Sequence, residues 1–540
     1  MKSRFLIPLL LCLAFAAQGL WFIGTQSLTF DEPVHMVAGL DIWQAGKFVR
    51  WNDHPPLSRA LFALPLLGKD WGIDFVYRPD DWNDHSVKAW LTWVPRDPQG
   101  IAWRARSMNL LLGLAMGILL WIAARRLFSV AAANLALLLF AFTPCLIAHF
   151  SVATTDGAGV LMIFAVAMQV VAWRRDPSRF HTILLGLALG GMLIAKFYTP
   201  PLFVLAVGLT LSLDRGRHWR KVAGAAAIAF LVIFAAYRFH VSWLVLQNGQ
   251  LAMHSPGSVY KLVSVPKIPS FSIPIPAGEY LTGLIDVFRH NRWGHPSFLL
   301  GEISQSGGWK LYYPILILLK WPTVVLLLCL SVLLLSLGRR ITIPVDLGIM
   351  LLFPAVFLLF SVFSKIDIGD RHILPVLPFV LLVCGGLAQL ELRRGAMVAA
   401  IALVAALHIG DALRYAPDYL SYFNPFVNSQ NSYRLLSDSN IDWGQGLLAL
   451  RQYQLAHPNE PIHLAYFGSV YPSGYNIDAQ PLREDQRATG TVVVSATHLS
   501  GQLLRRPGSY KWLLQYPRTA ILNHTLHVFQ VPAGAVQAAK

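Results

Sequence analysis

Eight apolar runs dominate the chain, at 107–123, 130–149, 157–173, 222–241, 313–337, 344–363, 373–390 and 396–412. Each is about 18 residues or longer, enough for a helix to cross a hydrocarbon core of about 30 Å. Water-soluble domains do not carry such runs. Only 13% of the 540 residues are charged, about half of what soluble domains carry. The chain is therefore read as a bilayer protein.

Short basic clusters stand between the runs: Lys2 and Arg4; Arg125 and Arg126; Arg174, Arg175 and Arg179; Arg215, Arg217, Arg220 and Lys221; Arg339 and Arg340; Arg393 and Arg394. This is the positive-inside pattern, and it sets orientation. The net charge of +16 is dispersed among these clusters, not gathered into an aromatic-studded patch, so no nucleic-acid partner is expected. The four cysteines, Cys12, Cys145, Cys329 and Cys384, lie in apolar runs. Neither a disulfide framework nor a CxxC metal site is expected from them. The first apolar run continues through Phe22 with no small-residue cleavage site before Thr29, which predicts an uncleaved first span.

With the N-terminus inside, the chain leaves the membrane near residue 25 and stays outside until Arg104. A hairpin over 130–173 then places Thr154, Thr155 and Asp156 outside. The stretch 182–213 has basic clusters on both sides, so it crosses an even number of times. Its 32 residues reach about 48 Å as helix, less than two bilayer thicknesses. Two short helices with a turn near Thr199, Pro200 and Pro201 are expected, with Lys196 beside a protein-lined cavity. A single tilted span is the alternative.

From about residue 413 the apolar runs shorten to strand length, at 462–467, 491–496 and 526–531, and 444–456 has a helical pattern. The expected fold is an α-helical polytopic membrane protein of about eleven transmembrane helices. Residues 1–412 form the membrane unit, with outer loops 25–105 and 242–312, and residues 413–540 a small C-terminal α/β extracytoplasmic domain. No internal repeat is seen.

Ionisable groups near apolar spans are functional candidates. Asp31 and Glu32 follow the first span directly, in Thr29-Phe30-Asp31-Glu32-Pro33-Val34-His35. A carboxylate there is suited to act as a general base on an acceptor hydroxyl; the competing structural role is a helix cap with Pro33 in the first turn. His35, four residues after Asp31, could share a helix face with it as a metal ligand, but no third ligand is evident. His54 lies in the rigid turn Asn52-Asp53-His54-Pro55-Pro56-Leu57, a suitable wall for a cleft. Asp156 starts a span, either as its cap or as a second carboxylate facing Asp31. Lys196, Lys320 and Arg371 are cations on the outer side, against the charge trend. Converging, they would bind a phosphate or diphosphate, Arg371 as a bidentate fork. His372 adjoins them; snorkelling, or pairing with Asp367 or Asp370, is the alternative.

Together these elements resemble the C-type membrane glycosyltransferases related to the protein O-mannosyltransferases and to the enzyme that adds aminoarabinose to lipid A. The similar elements are Asp31-Glu32, His54-Pro55-Pro56, Thr154-Thr155-Asp156, Lys196, Gly308-Trp309-Lys310-Leu311-Tyr312-Tyr313-Pro314 with Lys320 and Pro322, and Arg371-His372-Ile373-Leu374-Pro375. Their order spans about residues 25–390. Asp438-Ser439-Asn440-Ile441-Asp442-Trp443-Gly444-Gln445 is similar to a motif of one bacterial branch, with no function carried over; Asp442 could cap a helix starting near Trp443.

The resemblance implies a polyprenyl-phosphate sugar donor and inverting transfer on the outer face of a bacterial inner membrane, to a hydroxyl or phosphate of a glycan, lipid or protein. Asp31, Glu32 and Asp156 are then the catalytic candidates, with Asp31 as base. His54, Lys196, Lys320, Arg371 and His372 bind substrate. No nucleotide-sugar site is required and no cofactor is assigned; the resemblance leaves open a divalent metal near the first outer loop without assigning a ligand. The other classes are a secondary transporter, which should show two similar halves, and a non-catalytic assembly protein that binds lipid carriers.

Overall fold

Prolines and small polar residues set where the helices begin in the computed structural model, which describes residues 5–48, 52–69, 97–265 and 268–535. The first half contains α1 Leu6–Thr25, α2 Glu32–Leu40, α3 Pro56–Ala63, α4 Pro98–Leu127, α5 Val130–Ala141, α6 Pro144–Phe150, α7 Asp156–Arg175, α8 Arg179–Leu193, α9 Pro200–Leu213 and α10 Trp219–Ala236. Asp97 caps α4, its carboxylate accepting from the Gly100 N–H at 2.9 Å, and Pro98 fits the first turn. Ser129 and Ser178 cap α5 and α8 in the same way. Of the expected outer loop 25–105, residues 70–96 lie outside the described residues.

Residues 242–312, expected as loop, contain β1 Val241–Gln247, β2 Gln250–Ser255, β3 Ser258–Ser264 and β4 Phe271–Pro276, an antiparallel sheet of order β3-β2-β1-β4, then α11 Gly278–Trp293 and a hairpin of β5 Ser297–Leu299 with β6 Glu302–Ser304. The alternation that would reveal these strands is blurred. Trp243, Val259, Val263 and Ile273 are exposed, and Pro274 and Pro276 stand in the edge strand β4, where proline is tolerated.

The bundle resumes with α12 Tyr312–Lys320, α13 Thr323–Leu337, α14 Val345–Val362, α15 Leu377–Gly385 and α16 Arg394–Leu413. Among the described residues, six helices are long and apolar enough to cross a membrane, or up to eight if each of two bent pairs is one span. Three shorter apolar helices, Arg179–Leu193, Pro200–Leu213 and Leu374–Gln389, accompany them. Leu327, Leu330, Leu334, Val398, Leu403 and Leu407 are exposed on the outside of the bundle.

Both bent pairs break at proline, which has no N–H and clashes with the preceding turn. α5 and α6 meet at 68° before Pro144, and α12 and α13 at 114° around Trp321-Pro322. The run 313–337, expected as one span, is therefore two helices, and Lys320 ends the first. The released carbonyls find new donors. Leu139 O accepts from the Thr143 hydroxyl at 2.6 Å and lies 2.9 Å from His408 Nε2, while Asn424 donates to Leu318 O through its side chain and to Leu319 O through its backbone at 3.0 Å. Such repair lets irregular backbone persist at membrane depth. Elsewhere small residues allow close packing: a Cβ on Gly186 or Gly190 of α8 would meet Ile228 or Val232 of α10 at 2.7 or 2.5 Å.

The C-terminal region holds α17 Leu447–Ala456, α18 Ala496–Ser500, and β7 Ile462–Ala465, β8 Gln480–Pro481, β9 Gly490–Ser495, β10 Arg518–Leu522 and β11 Leu526–Val531, in the order β10-β11-β9-β7-β8. The three expected strands and the helix are present within a few residues of their expected bounds. Leu450, Leu464, Val493 and Val528 share one apolar cluster with Met36, Val37, Phe62, Ile101 and Ala105. The sheet thus covers α2, α3 and the start of α4.

Candidate active site

The turn after α1 is fixed by one buried ion pair. Glu32 accepts from Arg106 Nε and Nη2, both at 2.8 Å, and from the N–H groups of Thr29 and Ala153, both at 2.7 Å. Arg106 also donates to the carbonyls of Gln26 and Ser27 at 2.7 Å. Burial pushes the Glu32 carboxyl up, but the Arg106 charge and these hydrogen bonds outweigh it and hold it below the usual carboxylate range. Every lone pair facing the protein is used. The pair ties the α1–α2 turn to α4 and to the turn carrying Thr154, Thr155 and Asp156.

Asp31 stands at the start of α2 but makes no capping bond. Its Oδ2 instead pairs with Arg371 Nη1 at 3.0 Å, and the side chain is 34% exposed. The other oxygen makes no hydrogen bond among the described residues. The Arg371 guanidinium lies over the Trp443 ring, 4.0 Å from its centroid, and among the described residues Arg371 Nε has no hydrogen-bond partner.

Asp156, the first residue of α7, also does not cap it. It pairs with Lys196 Nζ at 2.9 Å, both side chains buried, and its Oδ2 has no partner among the described residues. Lys196 lies between α8 and α9, the two short helices expected there. Gly159 makes the approach feasible: a Cβ there would meet the Tyr198 hydroxyl at 2.7 Å and Lys196 Cγ at 3.2 Å.

A chain of polar contacts runs on from Lys196. Its Nζ lies 3.3 Å from His54 Nε2, His54 Nδ1 lies 3.1 Å from Asp53 Oδ2, and Asp53 Oδ1 pairs with Arg59 Nη2 at 2.8 Å. With Nδ1 turned to Asp53, the Nε2 lone pair of a neutral His54 accepts from Lys196. Burial lowers the His54 imidazole, Asp53 opposing and Lys196 adding. His35 packs edge-on against His54, and its Nδ1 accepts from Arg59 Nε at 3.4 Å. Among the described residues no group of three or more His, Cys, Asp and Glu side chains is arranged to hold a metal ion.

His372 Nε2 also lacks a partner. Burial holds its imidazole well below the usual value, with Arg371 and Lys196 adding and Asp156 opposing. Lys320, expected to join them, is bonded elsewhere: Nζ donates to Leu420 O at 3.0 Å and to Asn440 O, over the face of Phe423. Nor do Asp367 and Asp370 pair with Arg371. Asp367 accepts from the N–H groups of Gly308 and Trp309 at 2.8 Å, and Asp370 pairs with His149 at 3.0 Å.

Arg59, Arg106, Tyr198 and Trp443 were not singled out from the sequence. Arg106 had the best available signal, a charge at the mouth of an apolar run. Trp443 had none beyond its place in the Asp438–Gln445 motif.

A family model described as dolichyl-phosphate-mannose-protein mannosyltransferase matches residues 99–243, the segment with Arg106, Asp156 and Lys196. No curated protein matches the chain in sequence. Among solved structures, ArnT from Cupriavidus metallidurans in the apo state is similar at a TM-score of 0.50 and 13% identity, over 96% of this chain and 97% of that one. The S. cerevisiae protein O-mannosyltransferase Pmt1-Pmt2 complex bound to the sugar donor is similar at a TM-score of 0.52 and 12% identity, over 77% of this chain and 90% of that chain. Through the matched segment and the shared fold, the chain resembles the C-type membrane glycosyltransferases of the protein O-mannosyltransferase and lipid A aminoarabinose transferase type.

Proposed function

We propose that the protein transfers a sugar from a polyprenyl-phosphate donor to an acceptor hydroxyl or phosphate at the outer face of the membrane, with inversion at the anomeric carbon. The observation that carries this reading is the pairing of a partly exposed carboxylate, Asp31, with the buried Arg371, whose Nε lacks a partner among the described residues; the neighbouring His372 Nε2 also lacks one, and the buried Lys196 is held by Asp156. Support comes also from the family match and from the fold shared with ArnT and with a mannosyltransferase complex that holds its sugar donor.

The free oxygen of Asp31 takes the proton of an acceptor hydroxyl as that oxygen attacks the anomeric carbon. The bond from that carbon to the donor phosphate oxygen breaks, and its electron pair leaves with the polyprenyl phosphate. Arg371 and Lys196 stabilise the charge that develops there. Asp156 and His54 hold Lys196 in place. Glu32 and Lys320 take positioning roles, because their bonds are already committed to the protein.

In this reading the three shorter apolar helices also cross, which gives eleven spans with the N-terminus in the cytoplasm and the C-terminus in the periplasm. Residues 1–412 form the membrane unit and 413–540 the extracytoplasmic one. Purified protein in lipid vesicles should transfer labelled sugar from a polyprenyl-phosphate donor to envelope lipid, glycan or protein acceptors, and Asp31→Asn should lower transfer roughly 10²–10⁴-fold while keeping donor binding. No transfer with any such donor, together with unchanged envelope lipids and glycans in a strain without the gene, defeats the reading.

A further inference from the structure

The segment Asp438–Gln445 touches the supports of both halves of the site. Ser439 Oγ donates to Ile368 O, and a Cβ on Gly369 would meet that hydroxyl at 2.3 Å. The Asp370 N–H donates to Asn440 Oδ1 at 3.1 Å, one residue before Arg371. The Phe30 N–H donates to Trp443 O at 2.8 Å, one residue before Asp31, and the Ser27 N–H donates to Gln445 O at 3.0 Å. Asn440 O accepts from Lys320. The backbone leading into the carboxylate and the backbone leading into its arginine are thus tied to the same eight residues.

Trp443 adds a side-chain contact to this frame. It is 2% exposed, and the Arg371 guanidinium carbon lies over its ring, 4.0 Å from the centroid. Tryptophan has the strongest aromatic face for a cation, and the attraction grows when the pair is out of water. Resting on the sugar-transfer reading, we propose that Trp443 is a positioning residue of the active site. Its ring fixes the plane of Arg371, so that Nη1 meets Asp31 while Nε is left for the departing lipid phosphate. The extracytoplasmic unit is then part of the catalytic machinery, and the motif around Trp443 acquires a function.

The test uses the full-length protein in vesicles, with binding of polyprenyl phosphate and sugar transfer measured separately. Site-specific replacement of Trp443 by tryptophans of increasing fluorine content keeps the ring's shape while draining charge from its face. Binding and kcat should fall stepwise, to about tenfold below wild type at the most fluorinated ring. Trp443→Phe should stay within a few-fold of wild type, Trp443→Leu should lose about tenfold or more, and Trp443→Leu combined with Arg371→Ala should be no worse than Arg371→Ala alone. A flat fluorine series, or losses that multiply in the double variant, overturns the proposal while leaving sugar transfer standing. Wild-type protein that neither binds polyprenyl phosphate nor transfers sugar overturns both.

Discussion

Glu32 and Asp31 are adjacent carboxylates, each held by an arginine, at 2.8 and 3.0 Å. Glu32 is fully buried and meets a bidentate guanidinium and two backbone N–H groups; Asp31 is 34% exposed and meets one guanidinium N–H. The first pair is saturated and has no capacity left for a ligand. The second has a free oxygen on one side and an unpartnered Nε on the other. Saturation marks the residue that holds the site, and incomplete pairing marks the residue that can work in it.

The largest effect should come from breaking the saturated pair. Arg106→Met leaves the buried Glu32 without its countercharge, which costs about 3–5 kcal/mol; thermal unfolding in detergent should show a large drop in Tm or loss of folded protein. Asp31→Asn should do the reverse. Stability should change by no more than about 1 kcal/mol, as for a partly exposed pair, while transfer falls roughly 10²–10⁴-fold for loss of a general base. Equal stability losses in the two variants would erase the distinction. Next in size, Lys196→Met should lower kcat by about 10²-fold if the ammonium stabilises the leaving phosphate. A rise in acceptor KM alone would instead assign it to acceptor binding.

The smallest effect concerns a third carboxylate, which is buried like Glu32 but has no arginine. Asp442 accepts from the N–H groups of Gly444 and Thr497, both at 3.2 Å, and burial pushes its carboxyl up to about 7. Because the folded protein holds this proton more tightly than the unfolded chain, whose value is near 3.9, its contribution is complete below about pH 4 and is lost as pH rises through about 7. Asp442→Asn should therefore flatten the pH dependence of Tm across this window and be more stable than wild type at pH 8 by roughly 1 kcal/mol. An unchanged slope would mean that Asp442 is ionised throughout.

Helix length and strand spacing were legible because they are local: the apolar runs and the C-terminal strands follow from period and composition. The break at Trp321-Pro322 has a local cause in Pro322, but the Asn424 donors that stabilise it lie about a hundred residues later in the chain. The same distance hid the role of Lys320. A lysine in an apolar run signals an unusual contact, and nothing nearby distinguishes a phosphate from the carbonyls of Leu420 and Asn440. The sequence singled out Asp31, Asp156, Lys196 and Arg371 through charge and sidedness. It did not reveal which arginine meets which carboxylate, because Arg106 and Arg371 stand 74 and 340 residues from their partners.

The break between α12 and α13 also bears on the order in which the chain can be built. The Leu318 and Leu319 carbonyls and the Lys320 ammonium are matched by Leu420, Asn424 and Asn440. During synthesis these polar groups enter the membrane well before their partners exist. The bent helix must wait until residues 420–440 have been made. A chain cut between Leu413 and Leu420 would contain every proposed span and still leave a charge and two carbonyls without the partners they have in the fold, so residues 420–440 complete the helical bundle.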